Sequence, residues 1–182
     1  MLLFTNFAAF QIAWLSSVIG GAQDMPWLGP VAVMIALAIH LSVARKPVEE
    51  ILLAVCCALI GAGFDSMLVA SGWVTYKAGL FSDYMAPYWI ITMWMLFATT
   101  LNVSMRWLRG KPLLASSFGF IGGPTTYLAG EKLGGIVLSN QIAALAALAI
   151  GWARIMPVLM WLSENLDGMP GGRRKWIAER IK

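Results

Sequence analysis

The chain has 182 residues, of which 59% are hydrophobic and only 12% charged. Soluble domains carry about 25% charged residues, so this composition excludes a water-solvated shell over most of the surface and calls for lipid as the solvent. The formal charge of +4 and pI of about 9.3 do not point to nucleic acid, because the basic residues sit in separate loops and form no soluble patch.

Six apolar segments follow one another along a length that suits one domain: Leu2–Gly21, Leu28–Ala44, Ile51–Ser71, Pro87–Trp107, Leu113–Gly130 and Ile136–Trp161. Each approaches the ~17–25 residues that cross a ~30 Å hydrocarbon core. The pattern predicts an all-α membrane protein, a bundle of six transmembrane helices over residues 1–165. A basic cytoplasmic tail follows over 166–182, with the spacing of an amphipathic interfacial helix around Trp176, Ile177, Arg180 and Ile181. The first segment reads as a retained helix rather than a cleaved signal peptide, since no Lys or Arg precedes its apolar run. Asp24-Met25-Pro26, Arg45-Lys46-Pro47 and Arg109-Gly110-Lys111-Pro112 mark boundaries, because proline lacks a backbone donor and disfavours helix in the residue before it.

Charge sets the expected orientation. The loops after the second and fourth segments, together with the tail, hold Arg45, Lys46, Arg106, Arg109, Lys111, Arg173, Arg174, Lys175, Arg180 and Lys182, ten basic residues, whereas the opposite loops hold Lys77 and Lys132. The positive-inside rule then places both termini in the cytoplasm of a bacterial inner membrane. Membrane lipids are the expected partners, along with a protein partner or a second copy.

Polar residues within the apolar segments are the candidate site. Asp65 lies about fourteen residues into the third segment, in the outer half of the membrane, where an unpaired carboxylate is costly. It shares a stripe with Ala54, Cys57, Ala58 and Gly61; such small residues let another helix approach. Asp65 reads either as a proton-relay or substrate-binding carboxylate, or as a structural acid held between helices. By depth, Tyr127, Gln141, Trp94 and Gln11 form a candidate cluster with it, and the expected hydrogen bond is Tyr127 to Asp65 across a close third–fifth helix contact. Asn6, His40, Asn102 and Arg154 lie toward the cytoplasmic side as secondary candidates. His40 reads as an interfacial, water-satisfied histidine and Arg154 as a snorkelling cation. Gly119, Gly122, Gly123 and Pro124 in the fifth segment read either as a packing kink or as a broken helix lining a site with Thr125 and Thr126. Glu131 and Lys132 read as a hydrated pair.

Two adjacent cysteines, Cys56 and Cys57, and one histidine supply neither a disulfide framework nor zinc-ligand spacing. No metal or cofactor is expected. Soluble catalytic motifs are lacking, and whether the chain is an enzyme stays open.

Asn6 with Gln11 and Trp14, Pro26-Trp27-Leu28-Gly29-Pro30, His40, Phe64-Asp65-Ser66, Ala86-Pro87-Tyr88-Trp89, Leu101-Asn102-Val103-Ser104 and Gly122-Gly123-Pro124 with Tyr127 and Gly130 span nearly the whole chain. Together they resemble an uncharacterised family of small bacterial inner-membrane proteins, a domain of unknown function. Genes for its members stand beside cyclopropane-fatty-acid-synthase-like methyltransferases and flavin amine oxidases. The resemblance implies a place in membrane-lipid modification or envelope stress. Three functions fit: an accessory protein binding lipid or another apolar molecule, a small proton-coupled carrier using Asp65, and an intramembrane enzyme acting on acyl chains.

Overall fold

The computed structural model describes residues 2–171; the basic tail expected to form an amphipathic helix lies largely outside them. Six helices make up most of the chain: α1 (Leu2–Ala22), α2 (Leu28–Val43), α3 (Pro47–Ala70), α4 (Tyr88–Leu101), α5 (Pro112–Lys132) and α6 (Gln141–Asn165). Of these, α1, α3 and α6 are long and apolar enough to cross a membrane. Proline at the first helical turn opens α3 and α5, where its missing N–H would have had no helical partner in any case. Asn140 caps α6 by accepting from the Ala143 N–H at 3.2 Å.

Helix α4 is central. It packs against α3, α2 and α1, and its Trp89, Ile90, Leu96 and Leu101 are buried almost completely. The remaining helices pair as α1 with α2 and α5 with α6. Large apolar side chains cover much of the outside: Phe4 is 77% exposed, Ile121 67% and Ile142 85%.

The structure departs from the sequence reading in two elements. The fourth apolar segment does not remain helical to Trp107. Helix α4 stops at Leu101, turns follow, and Arg106–Leu108 forms a single 3₁₀ turn. The cause is Asn102, whose side chain is drawn into a buried polar network described below. Likewise the sixth segment does not begin as helix. Ile136–Leu138 is a strand, β2, that pairs antiparallel with β1 (Val74–Tyr76), with Val74 opposite Leu138 and Tyr76 opposite Ile136. The two strands alternate buried and exposed residues, which gives this otherwise helical protein a small sheet across one end.

Neither internal proline breaks its helix: α5 runs through Pro124 and α6 through Pro157. Pro157 has no N–H to give the Ala153 carbonyl, and Ser116 of α5 supplies a donor in its place at 2.6 Å. Thr125 and Thr126 bond back to the Ile121 and Gly122 carbonyls of their own helix, so α5 is a continuous packing helix.

Candidate functional site: a buried carboxylate behind an aromatic groove

Asp65 is completely buried. Its Oδ2 accepts from the Trp94 indole N–H at 2.7 Å. Its Oδ1 accepts from the Tyr127 hydroxyl and from the Tyr76 hydroxyl at 3.3 Å. One carboxylate therefore joins α3, α4, α5 and β1 through three uncharged donors. Hydrogen bonds to a charged acceptor each contribute about 1.5–3 kcal/mol, and their loss would leave buried donors unsatisfied. Tyr76 sits in the strand pair outside the helices; burial first, and the neighbouring Asp65 second, push its hydroxyl pKa well above the usual 10.

The expected cluster is thus only partly assembled. Trp94 and Tyr127 meet Asp65, whereas Gln11 and Gln141 are not among its partners, and Gln141 is exposed. Matching depth along separate helices does not fix which faces converge. Tyr76 was missed because it lies in a loop by hydropathy, and only the pairing of β1 with β2 brings it over the carboxylate.

The small-residue stripes do not join the two helices expected to meet. Helices α3 and α5 do not pack through them. Gly61 of α3 receives the Trp94 ring and Gly123 of α5 the Trp152 ring, while Gly119 of α5 lies against the Trp152 backbone carbonyl of α6 and the Met156 side chain. The two indoles stack, with centroids 4.6 Å apart and planes 12° from parallel. Phe97 meets both rings edge-on. At Gly61 and Gly123 the missing side chain makes room for an indole, which supplies a large apolar area, whereas at Gly119 it lets the α6 backbone approach.

In front of this aromatic wall lies a groove of about 210 Å³ between the α1–α4 side and the α5–α6 pair. Phe10, Trp14, Met93, Phe97 and Phe118 line it, together with Trp94, Trp152 and Tyr127. Gly122 also faces it, and a Cβ there would meet only the Phe118 ring edge at 3.9 Å. The site can hold an apolar molecule against a wall in which Trp94 and Tyr127 are fixed by hydrogen bonds to Asp65.

A second polar centre occupies the opposite end of α3. Glu50, 3% exposed, accepts from His40 Nε2 at 2.8 Å, Asn102 Nδ2 at 2.7 Å and the Gly168 N–H at 2.7 Å. Asn102 also donates to the Leu166 carbonyl and accepts from Arg109. Arg109 and Arg106 reach Asp167 at 2.7 and 3.1 Å. Burial lowers the Arg106 pKa from its ordinary value, while Asp167 opposes that shift.

His40 is therefore not water-satisfied as expected, since Glu50 holds it inside the fold. Asn102 belongs to the same network. Asn6 stands apart from it, donating to the Thr99 carbonyl at 3.0 Å and accepting from Ser104 at 2.9 Å. Arg154 is exposed. Glu131 accepts from the Leu138 backbone N–H at 3.0 Å, which ties α5 to β2 in place of a simple hydrated pair. Among the described residues, no three His, Cys, Asp or Glu side chains gather as a metal site.

The fold and its two buried centres define a class: a mostly helical protein with spans fit to cross a membrane, stitched internally by carboxylates bound to neutral donors and to arginines. Residues 3–158 match the family described as protein of unknown function DUF2878, and the chain belongs to that family. No curated protein and no solved structure matches it.

Proposed function

We propose that this chain is a multi-pass inner-membrane protein whose aromatic groove holds the acyl chain of a membrane lipid, as an accessory component of membrane-lipid modification or envelope stress. The groove carries this reading. Its lining is nearly all apolar, and Trp94 and Tyr127 on its wall are held from behind by hydrogen bonds to Asp65. Preformed apolar clefts with a few fixed polar groups are the usual form of a small-molecule site.

The membrane setting draws on the exposed apolar side chains, the three long apolar helices and the ten-to-two basic asymmetry in the sequence. Six crossings with both termini in the cytoplasm fit that asymmetry. Helix α4 has 14 residues and extends about 21 Å at ~1.5 Å per residue. It is short for a lipid-facing span, but it is surrounded by other helices, where non-helical backbone at membrane depth is tolerated against protein.

The groove favours binding over the carrier reading. Asp65 lies behind Trp94 and Tyr127, and both of its oxygens are engaged. An enzyme acting on acyl chains would need a reactive group at the groove surface, and the lining consists of aromatic, aliphatic, methionine, glycine and threonine side chains.

The test is mass spectrometry of lipid retained by the purified protein. Gly122→Leu places a side chain in the groove without a backbone clash and should lower retained acyl lipid severalfold. Gly63→Leu, on the open face of α3, should not. Equal retention by the two variants would defeat the proposal.

A further inference from the structure

A second cavity, of about 350 Å³, lies between α1 and α2 at the end of the bundle that carries Glu50. Its wall combines aliphatic Leu2, Ala9, Ala36, Ile39 and Val43 with Thr5 and the buried Asn6, His40 and Thr99, the last of which donates to the Leu96 carbonyl. Asn6 is already engaged at both ends of its amide. Among the described residues His40 is engaged through Nε2 only, which faces Glu50 Oε2 at 2.8 Å.

The ring adjoins a charged network: Asn102 bridges Glu50 to Arg109, and Arg109 and Arg106 both pair directly with Asp167. In its neutral form the imidazole donates through Nε2–H to Glu50, because a carboxylate only accepts. The hydrogen bond made by one ring nitrogen sets the other, so Nδ1 carries a lone pair and serves as an acceptor. Asn102 and the Gly168 N–H fix Glu50 from the far side.

We propose that His40 holds the neutral Nε2–H tautomer and that this cavity is a binding site for a hydroxyl-bearing amphiphile, whose O–H donates to His40 Nδ1 while its chain lies against α1 and α2. The class is that of a long-chain alcohol or a glyceride with a free hydroxyl. An anionic head is excluded, because a lone pair backed by a carboxylate repels it. The site is separate from the aromatic groove and does not depend on the reading given to it.

His40 is the sole histidine of the chain, so ¹⁵N-histidine NMR reports this site alone when the affinity tag lacks histidine. The full chain is placed in a zwitterionic detergent without hydroxyl groups and titrated with a long-chain primary alcohol, then with the methyl ether of the same chain. The free protein should show the Nε2–H tautomer. The alcohol should move the Nδ1 resonance, and the ether should need at least tenfold more ligand for any comparable change. Ala36→Leu, which narrows the cavity, should weaken the alcohol response by a similar factor. An imidazolium or an Nδ1–H tautomer in the free protein would overturn the proposal, as would no response to the alcohol. Equal responses to alcohol and ether, or an unchanged response in a folded Ala36→Leu protein, would do the same. The comparison of the two probes on the unaltered chain is decisive without the variant.

Discussion

Gly61 and Gly63 lie two positions apart on α3 and should respond in opposite ways to alanine. A methyl group at Gly61 would fall within the van der Waals envelope of the Trp94 indole, whereas one at Gly63 meets nothing within 4 Å. The Trp94 ring has little room to retreat: it stacks on Trp152 at 4.6 Å and donates to Asp65 at 2.7 Å. Overpacking of this kind costs about 1–3 kcal/mol. If the ring moves far enough to lose the charge-assisted hydrogen bond, about 1.5–3 kcal/mol more is lost. Better helix propensity returns up to about 1 kcal/mol at either position. Gly61→Ala should therefore destabilise by about 2–5 kcal/mol, while Gly63→Ala should be neutral or stabilising by up to about 1 kcal/mol. Reversible SDS unfolding in mixed micelles, followed by tryptophan fluorescence, measures both variants on one scale. A difference below about 0.5 kcal/mol would refute the assignment of Gly61 as the seat of the indole, and with it the account of how the groove wall is fixed.

Three further outcomes are expected. Asp65→Leu leaves three buried donors without an acceptor and should destabilise by several kcal/mol in the same unfolding assay, whereas Asp65→Asn keeps one acceptor oxygen and should cost less than half as much. Glu50→Leu strands His40, Asn102 and the Gly168 N–H together and should cost about 3–5 kcal/mol, the scale of breaking a buried charged network; a loss below about 1 kcal/mol would show that Glu50 is not its hub. Ser82→Cys should react with a membrane-impermeant maleimide applied to intact cells, while a cysteine placed at Arg180 should react only after lysis, and the reverse pattern would invert the topology.

The two buried carboxylates show what the sequence can and cannot disclose. Asp65 is legible because an acid within a long apolar run must find partners, whatever the fold. Glu50 stands beside Glu49 and follows Lys46-Pro47, where acidic residues ordinarily favour the positive end of a helix dipole and remain in water. Glu49 does this, reaching Lys46 at 2.7 Å. The two neighbours differ only in which face of α3 turns inward. Hydropathy located the helices but not every end of them. The apolar run past Leu101 looks helical, yet Asn102 gains more from Glu50 and the Leu166 carbonyl than the helix gains from another turn. The glycine stripes identified positions of close approach without identifying what approaches, since an indole and a helix backbone make the same demand for a missing side chain.

The clasp at Gly168 bears on how the protein is made. Glu50 and the Gly168 N–H are 118 residues apart, and the Gly168 carbonyl accepts in turn from the backbone N–H groups of Arg45 and Lys46 at 2.8 and 3.1 Å. Asp167, the next residue back, anchors both arginines. At ~5–20 residues per second of synthesis, roughly 6–24 s separate the appearance of Glu50 from that of its last partner. During that interval the α2–α3 turn exists with an incompletely satisfied acid, so it must stay near water or be shielded by the insertion machinery. Biogenesis thus closes from the C-terminal side, and a ribosome that stalled before Asp167 would leave all six helices written but the bundle unlatched.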